Sequence, residues 1–373
     1  MRSTVSPDFR TSGLPDFRTV AIIAPMLVSL LLPMLAAFVI SVLATRVAMA
    51  IAGRLAFLDR PGAEAHKQQA RAVPYGGGAA MAIALTAALL ISLGLPALEN
   101  EGAPDHGPLW PLFAGTAALF LVGLIDDVRP LGAKTKLLAQ IVIAGGTVWF
   151  GDLGIDSLRA WPWLSYGLAW AWLVLVSNAY NLIDHDDGLC GSIAVVSALV
   201  LFSGAQLSGD TELARLWLVL IGAVLGFLVW NRPPARIYMG DAGSLPLGFL
   251  IGVGTLSVTF WPSGESGSQL AVLAPLLITA LPLFDTATVV VKRLRRGTPI
   301  MQGDRNHISH RLHRLGMTPR RRLLTAVAVQ VALAAGALQL RTQDLLTAVV
   351  VIGQSAAIFI VVVLLETTRD RNE

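Results

Sequence analysis

Charge is scarce in this chain of 373 residues: Asp, Glu, Lys and Arg together make up 14% of it, against about 25% in an ordinary soluble domain. That shortage excludes a disordered chain, a coiled coil and a typical cytosolic enzyme. Cysteine is rarer still: Cys190 stands alone, which rules out an internal disulfide. Little length remains for a soluble domain, because a spanning helix takes about 20 residues and about eleven of them use roughly 220. What is abundant is apolar sequence, 54% of the residues, with a mean hydropathy of +0.66. The net charge of +4 would suit nucleic acid, but the basic residues cluster beside apolar runs, where they set membrane orientation. Nucleic acid is therefore not expected as a partner.

Apolar spans are expected at 20–45, 77–95, 109–125, 136–151, 164–181, 189–207, 212–230, 244–261, 269–291, 323–340 and 345–366. Leu95-Pro96, Trp161-Pro162, Trp261-Pro262 and Asn231-Arg232-Pro233-Pro234 punctuate the breaks. Trp110, Trp161, Trp163, Trp230 and Trp261 fall near the interfaces, as an aromatic belt does. Counted loop by loop, one side carries every lysine (Lys67, Lys134, Lys136 and Lys292) and most arginines. The positive-inside rule makes that side cytoplasmic. The expectation is an all-α polytopic integral membrane protein with about eleven transmembrane helices, N-terminus outside and C-terminus cytoplasmic. Its parts would be an N-terminal tail (1–19), one multi-span domain (20–366) and a cytoplasmic C-terminal tail (367–373). The tail duplicates a short motif at Pro7–Thr11 and Pro15–Thr19, and the long apolar run that follows reads as a retained first span rather than a signal peptide.

Overlaid on this topology, the unusual polar clusters fall at cytoplasmic span ends: His66 to Gly78, Asp126-Asp127, Asn178 to Gly188, Tyr238 to Ser244 and Asp304 to His313. Ionisable residues at membrane depth are costly and usually functional. Asp126 and Asp127 end the third span and can turn toward one cation or phosphate; a solvated helix end paired with Arg129 is the plainer alternative. Lys134 and Lys136 follow within reach of an anion. Asn178, Asn181 and Asp184 recur every three residues and share a helix stripe. Oxygen donors of that kind suit magnesium, although interhelical amide packing uses the same residues. Asp241 lies between Gly240 and Gly243 in the segment that precedes the eighth span, where Ser244 can cap the helix. A helix N-terminus favours anions, and Asp241 there would repel a bare phosphate, so a bridging cation makes better sense. Tyr238 can stack on a planar ring or simply pack. His307, His310 and His313 stand three residues apart; they could bind zinc or contact a pyrophosphate. Lys67, beside His66 and upstream of Gly76 to Gly78, could act as a phosphate point charge.

The segments DRPGAEAHKQQARAVPYGGGAAM, GLIDDVRPLGAKTK, NAYNLIDHDDGL, NRPPARIYMGDAGSLPLGF, PLFDT and GDRNHISHRL, in that order from Asp59 to Gly316, resemble the polyprenyl-phosphate N-acetylhexosamine-1-phosphate transferases. The HK segment and the histidine loop look more like the N-acetylglucosamine branch than the muramoyl-pentapeptide branch. The resemblance implies attack of a polyprenyl phosphate on the β-phosphorus of a UDP-N-acetylhexosamine, with release of UMP. It implies undecaprenyl phosphate as lipid partner, magnesium as cofactor with manganese as alternative, and a bacterial cytoplasmic membrane with the site facing the cytoplasm. A homodimer is the candidate assembly. Position by position, Asp241 looks like the metal ligand and Asn181 like a second; Asp126 and Asp127 look like the pair that handles the lipid phosphate. Lys67, Lys136 and Arg305 are candidate phosphate contacts, with Asn178 and Asp184 beside them. Tyr238 looks like the aromatic that stacks on uracil, Asp187 like a uridine-binding position, and His307 and His310 would face the pyrophosphate or sugar. Two residues depart from the family pattern: His185 stands where a glycine is usual, and Ser309 replaces the middle histidine of His-x-His-His.

Two rivals belong to other classes. A secondary transporter would place polar residues near the midplane, often in repeated halves, and no repeat is visible within the spans. A zinc hydrolase using His307, His310 and His313 would leave Asp126, Asp127, Asn181 and Asp241 without a task.

Overall fold

Among the described residues the apolar segments are helical, because lipid offers backbone groups no partner outside the segment itself. The computed structural model describes residues 17–59, 72–95, 109–257, 272–299, 307–340 and 345–367. The helices are α1 (Phe17–Arg54), α2 (Gly77–Leu93), α3 (Trp110–Val128), α4 (Ala133–Phe150), α5 (Pro162–Ile183), α6 (Leu189–Leu207), α7 (Thr211–Asn231), α8 (Asp241–Ser257), α9 (Ala274–Ile278), α10 (Ala280–Arg296), α11 (Ile308–Arg314), α12 (Pro319–Gln339) and α13 (Leu345–Thr367). A short antiparallel ladder joins β1 (Leu58–Asp59) to β2 (Val73–Pro74), with Leu58 opposite Pro74. Among the described residues, six helices are long and apolar enough to cross a membrane: the Leu27–Arg54 part of α1, α3, α6, α7, α12 and the Leu345–Leu364 part of α13. The molecule is an all-α membrane protein.

The centre is formed by α7 and α8, whose side chains are buried almost throughout, with α6 beside them. Gly222 and Gly226 of α7 face the backbone of α1 at Met34 and Phe38, the close approach that small residues permit between membrane helices. Outward-facing Leu35, Val39 and Leu43 on α1, Leu121 and Ile125 on α3, and Val349, Val350 and Ile360 on α13 are exposed, which suits a lipid-facing surface.

Two helices differ from their sequence expectations. The first span, expected at 20–45, belongs to a 38-residue helix, about 57 Å long against a hydrocarbon core of about 30 Å; it carries Arg46 and Arg54 beyond the apolar run. The ninth, expected as one run over 269–291, is broken at Thr279 between α9 and α10. Pro282 is the cause: it has no N–H to donate to the Ile278 carbonyl one turn back. Gln330 of α12 repairs the break. Its Nε2 donates to that carbonyl at 2.6 Å, its Oε1 accepts from Leu281 N at 3.2 Å, and Ser197 Oγ donates to the same carbonyl at 2.7 Å.

Candidate active site

The end of α3, the starts of α4 and α8, and the end of α5 meet at one end of the bundle. Backbone contact draws in the start of α2: Gly77 N donates to Tyr238 O at 3.0 Å, Gly78 N to Met239 O at 2.9 Å, and Tyr238 N to Pro74 O at 2.9 Å. Gly78 is required there, since a Cβ would lie 2.6 Å from the Ala242 carbonyl carbon.

The two adjacent acids at the end of α3 have different tasks. Asp127 accepts from the amides of Asp241 (2.8 Å) and Ala242 (3.1 Å) with its two carboxylate oxygens, capping α8 where the helix dipole favours a negative charge. Gly240, at φ +69°, brings the chain across this carboxylate, and a side chain there would run into it. Asp126 accepts from Leu131 N at 2.9 Å and from Lys136 Nζ at 3.2 Å. The same Nζ donates to Asp241 Oδ2. One ammonium thus bridges two carboxylates separated by 115 positions of chain, while Lys134, two residues earlier, is exposed. Asn181 Nδ2 donates to Asp241 Oδ1 at 2.8 Å and to Ser244 Oγ at 2.9 Å. Asn178 is engaged elsewhere: its Nδ2 donates to Gln140 of α4 and to the Val174 carbonyl at 2.8 Å, so it ties α5 to α4.

The turn between α5 and α6 is fixed from three sides. Asp186 takes a two-pronged ion pair from Arg322 of α12, both contacts at 3.0 Å. Asp187 Oδ2 accepts from Ala235 N at 2.8 Å, and Gly188 N donates to Asn231 Oδ1 at 3.0 Å. Asp184 lies just past α5; burial, with the charges of Asp241, Asp127 and Asp187, pushes its carboxyl well above the usual range. Tyr238 stands in an aromatic row, its ring centroid 6.1 Å from that of Tyr75, which is 5.5 Å from Phe57.

Beside this turn lies a histidine cluster. The His185 ring is 4.4 Å from His307 and 5.7 Å from His310. His307 Nδ1 is 2.7 Å from Asp285 Oδ2; Asp285 Oδ1 accepts from Ile308 N at 2.6 Å and Arg311 Nη2 at 3.2 Å. Burial, followed by the charges of neighbouring histidines, lowers the His185 and His310 imidazoles to about 4, so both rings are neutral near pH 7. His313 is exposed. Lys67 and Arg305 lie outside the described residues.

Asp285 was not among the residues singled out from sequence. Its sequence signal was an acid inside an apolar run, where ionisable residues are seldom passive; the structure buries it completely. Gln140 and Arg322 were missed as well, because each acquires its partner only through tertiary contact.

These features describe a helical membrane protein with an acidic and cationic centre at the end of its bundle. Residues 109–259 match glycosyl transferase family 4. The chain is 32% identical over 260 residues to the probable undecaprenyl-phosphate N-acetylglucosaminyl 1-phosphate transferase of Bacillus subtilis, covering 68% of this chain and 69% of that one. It is 32% identical over 281 residues to the decaprenyl-phosphate N-acetylglucosaminephosphotransferase of Mycolicibacterium smegmatis, covering 67% and 68%. To the undecaprenyl-phosphate alpha-N-acetylglucosaminyl 1-phosphate transferase of Escherichia coli K12 it is 29% identical over 231 residues, covering 58% and 60%. The chain belongs to the polyprenyl-phosphate N-acetylhexosamine-1-phosphate transferase family.

Proposed function

We propose that this protein transfers N-acetylglucosamine-1-phosphate from UDP-N-acetylglucosamine to undecaprenyl phosphate at the cytoplasmic face of a bacterial inner membrane. The observation that carries the reading is the convergence of Asp126 and Asp241 on Lys136, beside Asn181, at the meeting point of four helix ends. An oxygen of the lipid phosphate attacks the β-phosphorus of the donor. The bond from that phosphorus to the α–β bridging oxygen breaks, and UMP leaves with the oxygen. A phosphate monoester has its second pKa near about 6, so the nucleophile is already largely ionised. Orientation and charge neutralisation therefore matter more than proton removal.

The residues fit a magnesium ion by their chemistry. Two carboxylates already converge on one cation, the Lys136 ammonium, and hard oxygen donors of this kind suit magnesium together with substrate phosphate. Asp126, Asp241 and Asn181 would hold it, and it would neutralise charge on the diphosphate. Lys136 supplies a cation for phosphate oxygens. Asp127 fixes the start of α8, and so the Asp241 carboxylate. Tyr238 offers a face for uracil, with Asp184 and Asp187 bordering the nucleoside, and His307 and His310 border the sugar-phosphate. Lys67 and Arg305 complete the phosphate contacts.

Eleven membrane crossings, with the N-terminus outside and the C-terminus in the cytoplasm, complete the reading; α9 and α10 together would make one of them. Supporting this is the charge asymmetry of the loops.

The test uses purified protein, undecaprenyl phosphate, magnesium and a panel of UDP-sugars, scoring UMP together with lipid-linked product. The expected result is turnover with UDP-N-acetylglucosamine that Asp241→Ala abolishes. Folded protein that releases no UMP from any donor overturns the reading. For orientation, single cysteines replacing Arg321 and Arg159 in a Cys190→Ser background should label from the cytoplasmic and outer sides respectively; the reverse pattern overturns the topology.

A further inference from the structure

The fold brings together three residues that the transfer chemistry leaves only loosely used. His185 sits in the turn between α5 and α6, Asp285 in α10, and His307 at the start of α11. One potential ligand atom from each lies within 4.8 Å of the others. Among the described residues this is the group of histidine and acidic side chains whose donor atoms gather so closely.

The hydrogen bonds settle which ring nitrogens are free. His185 Nδ1 is 2.9 Å from the Leu182 carbonyl oxygen. That oxygen can only accept, so the proton is on Nδ1 and Nε2 carries the lone pair. Nε2 is buried and has no hydrogen-bond partner. His307 differs: its Nδ1 faces Asp285 Oδ2 at 2.7 Å, so an ion that takes the place of the shared proton would meet both atoms. His185 thus presents Nε2 beside the paired His307 Nδ1 and Asp285 Oδ2. A backbone carbonyl on Nδ1, as at His185, is an outer-shell contact that orients a metal-binding histidine. Asp285 is completely buried, with an amide and a guanidinium on one of its oxygens and only His307 on the other. That second oxygen retains a lone pair.

We propose that His185, His307 and Asp285 form a binding site for a zinc-class divalent ion, separate from the magnesium chemistry of the acidic centre. Two imidazole nitrogens and one carboxylate make a three-ligand set with room for a further ligand, as in open zinc sites. Imidazole donors favour zinc and its transition-metal neighbours over magnesium, which takes oxygen. The two centres therefore select different ions although Asn181 and His185 stand only four positions apart in the chain. An ion here would pin the start of α11 to the α5–α6 turn. His185 is the decisive residue, since without its ring only one histidine and one carboxylate remain.

The test measures metal directly and is independent of turnover. Full-length protein in detergent is stripped with chelator, then dialysed against zinc in a large excess of magnesium, and zinc per chain is determined by elemental analysis. One zinc per chain is expected for the unaltered protein. His185→Gly and His307→Gln should each weaken zinc binding by about ten-fold or more. His313→Gln, which alters an exposed ring on the same short helix, should bind as the unaltered protein does. Cobalt added to the stripped, unaltered protein should give visible d–d bands of a low-coordinate nitrogen–oxygen site, which zinc then displaces. This spectrum requires no variant to fold. Equal zinc in the unaltered protein and His185→Gly, loss only with His313→Gln, or no zinc and no cobalt bands in folded protein would each overturn the site. Failure of sugar transfer would leave it standing, and zinc binding would not rescue a failed transfer reading.

Discussion

Asp127 and Asp241 are joined end to end: both carboxylate oxygens of the first hold the backbone amides that open the helix on which the second is the leading residue. Neighbouring Asp126 instead shares Lys136 with the Asp241 side chain. The pair at the end of α3 is therefore divided between holding a helix and facing a cation. Asp127→Ala should lower stability by about 0.5–2 kcal/mol, the usual cost of removing a helix cap, and should lower UMP release with it. Asp127→Asn keeps one acceptor and should recover part of both. Asp241→Ala should lose turnover with little loss of stability. Thermal unfolding in detergent alongside UMP release checks this; unchanged unfolding in Asp127→Ala would refute the capping role.

Lys136 places one positive charge between two carboxylates. A divalent ion held by those carboxylates competes with it. Lys136→Met should bind manganese more tightly, measured by electron paramagnetic resonance, yet lower turnover by roughly 10²-fold, because a charge that stabilises the transferring phosphate is gone. Weaker manganese binding in that variant would show that the lysine helps to assemble the metal site rather than competing for it.

The apolar runs announced the helices, because lipid forces each run to satisfy its own backbone. The acidic pair, the Asn181 stripe and Asp241 were also visible, since polar residues at span ends stand out against so little charge. What sequence did not reveal depends on contacts between distant segments. Nothing in the local pattern tells Lys136, which turns inward, from exposed Lys134. Nothing local divides Asp126 from Asp127 by task. Asp285 stands out as an acid inside an apolar run, but its meaning comes from His307, 22 positions later. Pro282 was in plain view and signals a helix break by its missing N–H, but the residue that repairs the break, Gln330, lies on another helix.

The buried rings of His185 and His310 give an acid sensitivity of definite sign. Their imidazoles are lowered to about 4 in the fold, against about 6.5 in an unfolded chain. Between those values the unfolded chain binds protons that the fold does not, so stability falls as pH falls. The contribution is complete above about 6.5 and is lost progressively toward 4. In chelator-treated protein the unfolding temperature should drop from pH 7 to pH 5, and it should drop less in a His185→Gly/His310→Gln double variant. An equal drop in both proteins would assign the sensitivity to other groups.

The break between α9 and α10 offers a test in which a second substitution should offset the first. Gln330→Leu strands the Leu281 amide and leaves the Ile278 carbonyl with only Ser197, at a cost of about 1–3 kcal/mol for a buried polar group without a partner. Pro282→Ala restores an N–H that can reach the Ile278 carbonyl and continue the helix across Thr279. In the Pro282→Ala background, Gln330→Leu should therefore cost less than it does alone. The measurement is a double-mutant cycle on unfolding free energy, in which contacting residues ordinarily couple by about 0.5–3 kcal/mol. Strict additivity would mean that Gln330 supports the bundle through its packing and not through the groups that Pro282 leaves unpaired.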